Sequence, residues 1–234
     1  MAMEMKRLHI GASSLELLAR SNAAEFIDRS WIHLGDPPNY EARSATGSLQ
    51  SDLRAFAKRI LRKSGAVASE GNPALYARTD FRPWRFGSGD RLDIADNSIT
   101  FAYSEHVLEH FRYDIAVELL TEVYRVLTPG AVIRTVVPDA DYRTYEAPEP
   151  VGYPNKKLRM DHPNKHKVRW NKYLLARTLE FVGFIAVPVA WCSDDGNFHQ
   201  QPLEHGASLV EQELRSTLRY VQRPRSLIVD GVKP

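Results

Sequence analysis

Along this chain, short apolar runs alternate with longer stripes of three-and-four spacing, a pattern that predicts strands alternating with helices. Leu8 and Ile10 make a short strand signal that ends at Gly11, and Ser13 with Glu16 then forms a capping-box pattern, so strand turns directly into helix. Residues 36–47 are rich in Pro, Asn, Ser and Gly and read as a loop. An amphipathic helix follows, carrying Leu53, Phe56, Ala57, Ile60 and Leu61 and ending near Gly65. From Gly65 to Gly89 the glycines and prolines break every period, and no element is assigned.

The clearest unit begins at Asp96-Asn97, a turn. Ile99 to Tyr103 is then a strand, Asp114 is the expected cap of a helix carrying Ile115, Leu119, Leu120, Val123 and Leu127, and Pro129-Gly130 is its expected stop. Ala131 to Val137 is apolar on both faces except at Arg134, as in a parallel strand covered from both sides. Strand, helix, strand with short joints is a βαβ unit, whose crossover is right-handed. The alternation continues through a helix closed by Gly183, a strand from Phe184 to Trp191 whose Pro188 suggests an edge position, a helix marked by Val210, Leu214 and Leu218, and a last strand from Ser226 to Val232. The sum is one α/β domain: an open, doubly wound, mostly parallel sheet with helices on both faces.

Composition narrows this picture. With 43% hydrophobic and 26% charged residues over 234 positions, the chain has the mixture of a folded globular protein. Cys192 is the only cysteine, which rules out an internal disulfide and a thiolate cage for zinc and points to a reducing, cytoplasmic setting. No apolar run approaches the roughly 18 residues a membrane span needs, so neither export nor anchoring is expected. A net charge of +2 exerts little pull on a phosphate backbone, so nucleic acid is not an expected partner. Two basic stretches remain: Arg54 to Lys63 reads as a solvated helix face, and Lys165 to Arg169 as either an anion-holding segment or a wet loop.

In an open α/β sheet, ligands sit beyond the carboxyl ends of the strands, near the switch point of the strand order. That singles out Gly11-Ala12-Ser13-Ser14 after the first strand and Ser104-Glu105-His106 after the central one. A small-residue turn lets backbone approach a ligand, yet an ordinary strand-to-helix turn explains it equally.

The runs Leu92-Asp-Ile-Ala-Asp-Asn-Ser98, Tyr103-Ser-Glu-His-Val-Leu-Glu-His110, Glu122-Val-Tyr-Arg-Val-Leu-Thr-Pro-Gly130 and Val136-Val-Pro-Asp139 resemble the class I S-adenosylmethionine-dependent methyltransferases. Leu8-His-Ile-Gly11 and Trp31-Ile-His-Leu34 are similar to that family's first and second strands. Three carboxyl-terminal runs, His166-Lys-Val-Arg-Trp-Asn171, Asp195-Gly-Asn-Phe-His199 and Ser226-Leu-Ile-Val-Asp230, resemble a bacterial branch of predicted methyltransferases. The likeness spans most of 1–234 as a single domain, with about 37–88 standing out as an insertion. It implies a Rossmann-like sheet with an antiparallel carboxyl-terminal strand, S-adenosylmethionine as cofactor, and methyl transfer to oxygen or nitrogen of a small-molecule acceptor, a saccharide or secondary metabolite among the options. A homodimer is left open.

Carried over residue by residue, the resemblance assigns Gly11, Ala12 and Ser13 to the methionine part of the cofactor, with serine standing where the family has its second glycine. Asp36 would hold the ribose and Asp90 would face the adenine, with Asp80 and Asp93 as competitors; Ser104 and Glu105 would line the methionine side. His106 is the first candidate for proton removal, with His110, His162, His166 and His199 behind it. Tyr142, Tyr145 and Tyr153 fall where this family builds its substrate lid, or are packing.

Two other readings stand. The altered glycine turn suits a binding protein that kept the fold and lost the cofactor. His106-Val-Leu-Glu109-His110 also matches the H-x-x-E-H zinc pattern of a metallohydrolase, which expects both histidines on one helical face; no metal is assigned on that ground.

Overall fold

The computed structural model describes residues 6–11, 30–35, 80–142, 152, 154, 159–160, 165–201 and 226–234. They form β1 (Lys6–Ile10), β2 (Trp31–Gly35), β3 (Asp80–Pro83), β4 (Ile99–Glu105), a 3₁₀ turn (Leu108–His110), α1 (Tyr113–Val126), β5 (Leu127–Pro138), α2 (Lys172–Val182), β6 (Ile185–Cys192), β7 (Phe198–Gln200) and β8 (Ser226–Val232). The strands make one sheet in the order β3-β2-β1-β4-β5-β8-β6-β7. The first five pair in parallel, and β8 enters antiparallel between β5 and β6, as expected of the last strand. The amphipathic helix at 53–65, the helix near Val210 and the helix opened by Ser13 lie outside the described residues.

α1 lays Ala116, Leu119, Leu120, Val123 and Val126 on one face of the sheet, and α2 adds Leu175 and Leu179 to the same core. Asp114 does not cap α1: the cap position is Arg112, and Asp114 lies in the first turn, paired with Arg112 at 3.2 Å, where its charge complements the helix dipole. The helix also ends before the expected stop. Pro129-Gly130 lies inside β5, where Gly130 takes φ 80° and the pairing with β4 jumps from Ile99↔Leu127 to Phe101↔Val132. A proline donates no ladder bond, and the irregular start of the strand absorbs it. α2 follows expectation at both ends: Asn171 accepts from Leu174 N–H at 2.9 Å, and Gly183 closes it at φ 118°.

Pro188 is not on an outer strand, because β7 pairs beyond β6. β7 pairs only with Ala190 to Cys192, however, and the β6–β8 register shifts between Pro188 and Ala190, so the proline falls at an irregularity.

The opposite face of the sheet carries a buried polar row. His33, His9, Tyr103, Arg134 and Asp230 are successive register partners across β2, β1, β4, β5 and β8. The imidazoles of His9 and His33 bond Nδ1 to Nδ1 at 3.2 Å, His9 stacks on Tyr103, and Arg134 grips Asp230 with two bonds of 2.7 and 2.5 Å. Arg134, the one charge in the otherwise apolar β5, is 1% exposed and neutralised by its cross-strand partner. Burial holds the His9 pKa down to about 3, with His33 beside it adding to the effect. Trp31, Phe101, Val132, Val136 and Ile228 flank the row with apolar surface.

Candidate active site

From β1 the chain moves outward through β2 and β3 and returns to β4 on the other flank of β1, so the switch point lies between β1 and β4. Their carboxyl ends are level there, Ile10 facing Ser104. Gly11 follows β1 at φ 90°, its N–H donating to the Leu34 carbonyl at 2.9 Å. Its missing side chain makes room for the protein itself, because a Cβ there would meet Val107 Cγ2 at 2.1 Å. The turn thus needs glycine for packing whatever it binds.

Ser104, Glu105 and His106 lie at this switch point. Strand alternation sends Ser104 and Glu105 to opposite faces, so they do not line one wall. Glu105 Oε2 accepts from the Tyr103 hydroxyl at 3.0 Å, at the edge of the polar row. Buried atoms Ser104 Oγ, Glu105 Oε1 and His106 Nε2 have no hydrogen-bond partner among the described residues. Such atoms at consecutive positions suit a polar ligand, since a buried polar group left unbonded costs about 1–3 kcal/mol.

His106 takes φ 51°, a conformation that non-glycine residues hold only when the surroundings impose it. Here its N–H donates to Val136 O at 2.8 Å, tying the turn to β5. Nδ1 of the ring lies 3.0 Å from Glu109 Oε1, and Glu109 has 2% of its side chain exposed. A carboxylate on Nδ1 fixes the tautomer with the proton there and leaves Nε2 as a lone-pair base.

His106 and His110 do not share a helical face. Only Leu108–His110 are helical, as a single 3₁₀ turn, and His106 stands outside it. Instead His110 meets His166, ring centroids 5.1 Å apart, with Glu109 Oε1 3.9 Å from His110 Nε2. The segment Lys165 to Arg169 is no wet loop: Lys165 and Val168 are buried, and the N–H groups of Lys167 and Val168 donate to the Glu109 carbonyl at 2.7 and 3.3 Å. Burial lowers the His166 pKa, with Glu109 opposing and His110 and His106 adding to the fall.

The other candidates divide. Asp80 opens β3, at the amino ends of the parallel strands, and is paired with Lys6 at 2.7 Å and Arg82 at 3.0 Å; it does not compete for a ligand at the far rim. Asp90 lies in the connection beyond β3 with an exposed side chain, and its carbonyl accepts from the Trp84 indole at 3.1 Å. The Asp93 carbonyl accepts from Arg82. His199 sits on β7, bonded to Ser193 Oγ at 2.9 Å, beside a cavity of about 390 Å³ lined also by Lys172, Tyr173, Cys192, Asp194 and Asp195. That cavity shares the rim of the site, because β6 runs parallel to β5. Tyr142 is buried. Ala12, Ser13, Asp36, His162, Tyr145 and Tyr153 lie outside the described residues.

Asp139, quoted above only as part of a motif, is a feature the sequence did not single out. It follows β5, accepts from the N–H groups of Cys192 at 2.7 Å and Asp141 at 3.0 Å, and burial lifts its pKa to about 6. Burial, with Asp139 and Asp141 nearby, pushes the Cys192 thiol up to about 11, so it is no ready nucleophile.

Residues 72–135 match a family described as a methyltransferase domain. The sequence matches no curated protein. Among solved structures, an S-adenosylmethionine-dependent methyltransferase from Mesorhizobium loti is 13% identical, with 97% of this chain and 92% of that one covered and a TM-score of 0.44. A second, from Methanosarcina mazei, is 15% identical over 100% and 94% of the two chains, with a TM-score of 0.46. The [4+2]-cyclase SpnF is 15% identical over 98% and 75%, with a TM-score of 0.49. The match over 72–135 covers β3, β4, the His106 turn, α1 and most of β5, and the likeness of this chain to a methyltransferase domain lies in that stretch.

Proposed function

We propose that the protein is an S-adenosylmethionine-dependent methyltransferase acting on oxygen or nitrogen of a small-molecule acceptor, a saccharide or secondary metabolite for instance, in the cytoplasm. The observation that carries this is the family match over 72–135, which spans β3, β4, the His106 turn and α1. The orphaned hydroxyl of Ser104, level with Ile10 at the end of β1, supports it, because it suits the polar methionine end of the cofactor. Gly11 and Ser104 would hold that end; Glu105, on the other face of β4, and Ala12, Ser13, Asp36 and Asp90 complete the assignment as the family pattern gives it. The bound cofactor supplies an electrophilic methyl group on a sulfonium.

The chain's own residues then align the acceptor and remove its proton. His106 suits the second task, its Nε2 without a hydrogen-bond partner among the described residues and its Nδ1 held by Glu109. His110 belongs to the neighbouring cluster and is not given a proton-transfer role. The cavity beside Lys172 and Tyr173, on the same rim, is the proposed acceptor side.

Isothermal titration with S-adenosylmethionine and with its demethylated product tests the reading, and micromolar binding of either is expected. No heat with both removes the enzyme claim. With methyl-labelled cofactor and a panel of hydroxyl and amine acceptors, His106→Gln is expected to keep cofactor binding and lower turnover by about 10²–10⁴-fold. Full turnover in that variant would take His106 out of the chemistry.

A further inference from the structure

Glu109 is nearly sealed from solvent, and its Oε2 has no hydrogen-bond partner among the described residues. A buried carboxylate left in that state is costly unless a cation completes it. Its neighbours are imidazoles: His106 at 3.0 Å, His110 at 3.9 Å, and His166 across the ring contact.

One ligand atom from each of Glu109, His110 and His166 can be chosen so that all three lie within 4.8 Å of one another. Ligands at about 2.1 Å from one ion are at most about 4.2 Å apart, so modest side-chain adjustment closes the set. The three come from two separate segments, and the bonds from Lys167 and Val168 to the Glu109 backbone already hold those segments together. His106, bonded to the same carboxylate, stands as the outer partner that orients a ligating group.

We propose that Glu109, His110 and His166 form a binding site for a divalent transition metal of the zinc class. Two histidines and one carboxylate leave a fourth position open to water or substrate. The set differs from the H-x-x-E-H pattern, whose two histidines would bind together from one helix. It shares Glu109 with the methyl-transfer reading, in which that carboxylate holds His106.

The test is titration of the chelator-treated full chain with zinc chloride, read by calorimetry against a competing chelator and by elemental analysis after dialysis. One equivalent bound, with a raised melting temperature, is expected. His110→Ala and His166→Ala should each weaken zinc by more than about 100-fold, beyond the 10–100-fold typical of outer-shell partners. His199→Ala, on β7, should not change it. Glu109→Gln, of nearly unchanged shape, should also lose affinity, and circular dichroism of every variant separates lost binding from lost folding. Substoichiometric uptake, or uptake that survives both histidine variants, overturns the proposal. A chain that takes up zinc but no S-adenosylmethionine supports this site and defeats the methyltransferase reading, and the converse result does the opposite.

Discussion

At Gly11 one residue type is fixed twice over, by a backbone at φ 90° and by Val107 in the space a side chain would need. The positive φ alone costs another residue about 1–3 kcal/mol, and the overlap adds about as much again. Gly11→Ala is therefore expected to destabilise the protein by about 3 kcal/mol or more in urea unfolding. The overlap has a single partner atom, so Val107→Ala in the same chain should return about 1–2 kcal/mol as a coupling energy, leaving the backbone strain. Additive single and double variants would show that Val107 is not the obstacle. The sequence marked Gly11 as a place where a cofactor comes close, and could not reveal that the chain itself comes closer. At Glu109 the position was equally visible as part of a motif, whereas His166 joins it only through a tertiary approach across more than fifty positions of sequence. Periodicity reports which face a residue takes within its own element, and no pattern in either segment encodes that meeting.

Among the elements, β5 was legible because six of the seven residues from Ala131 to Val137 are apolar or β-forming, and β8 because its bounds are where the alternation places them. The junction of α1 with β5 was misjudged for a physical reason: Pro129-Gly130 has stop chemistry, and the fold uses it as a strand irregularity after the helix has ended at Val126. Arg134 looked like a defect in β5. The strand that neutralises it arrives about a hundred residues later, so only the paired sheet explains it. Removing one partner leaves a buried charge: Asp230→Asn is expected to cost about 3–5 kcal/mol. Replacing both, as Arg134→Met with Asp230→Leu, should recover most of that loss, since the surrounding Val132, Val136 and Ile228 are apolar. Chemical denaturation of the single and double variants checks this, and a double variant less stable than Asp230→Asn would show that the pair holds the register of β5 and β8 by more than charge.

For the whole molecule, two buried groups at distant places in the sheet set opposing responses to pH. His9 keeps its neutral form down to about pH 3, against 6.5 when unfolded, so the unfolded chain binds the extra proton between those values and acidification costs stability. At about 1.36 kcal/mol per pH unit the full effect approaches about 5 kcal/mol at pH 3. Asp139 runs the other way, because its folded pKa of about 6 lies above 3.8 and the native state holds the extra proton. Its contribution is present below pH 3.8 and lost as pH rises through 6, amounting to about 3 kcal/mol. Between pH 4 and 6 the two slopes nearly cancel. Asp139→Asn removes one of them, so the stability of that variant minus wild type should climb by about 1.4 kcal/mol per pH unit across that window. His9→Gln should show the difference falling with the same slope. Taking differences cancels Asp80 and Glu122, whose pKa values lie below the ordinary carboxylate range because Arg82 and Lys6, and Arg125, bond to them. Urea midpoints measured from pH 4 to 7 decide the matter: curves parallel to wild type in both variants would mean that neither group changes its proton affinity on folding, and that the polar row and the Asp139 cradle are open to water.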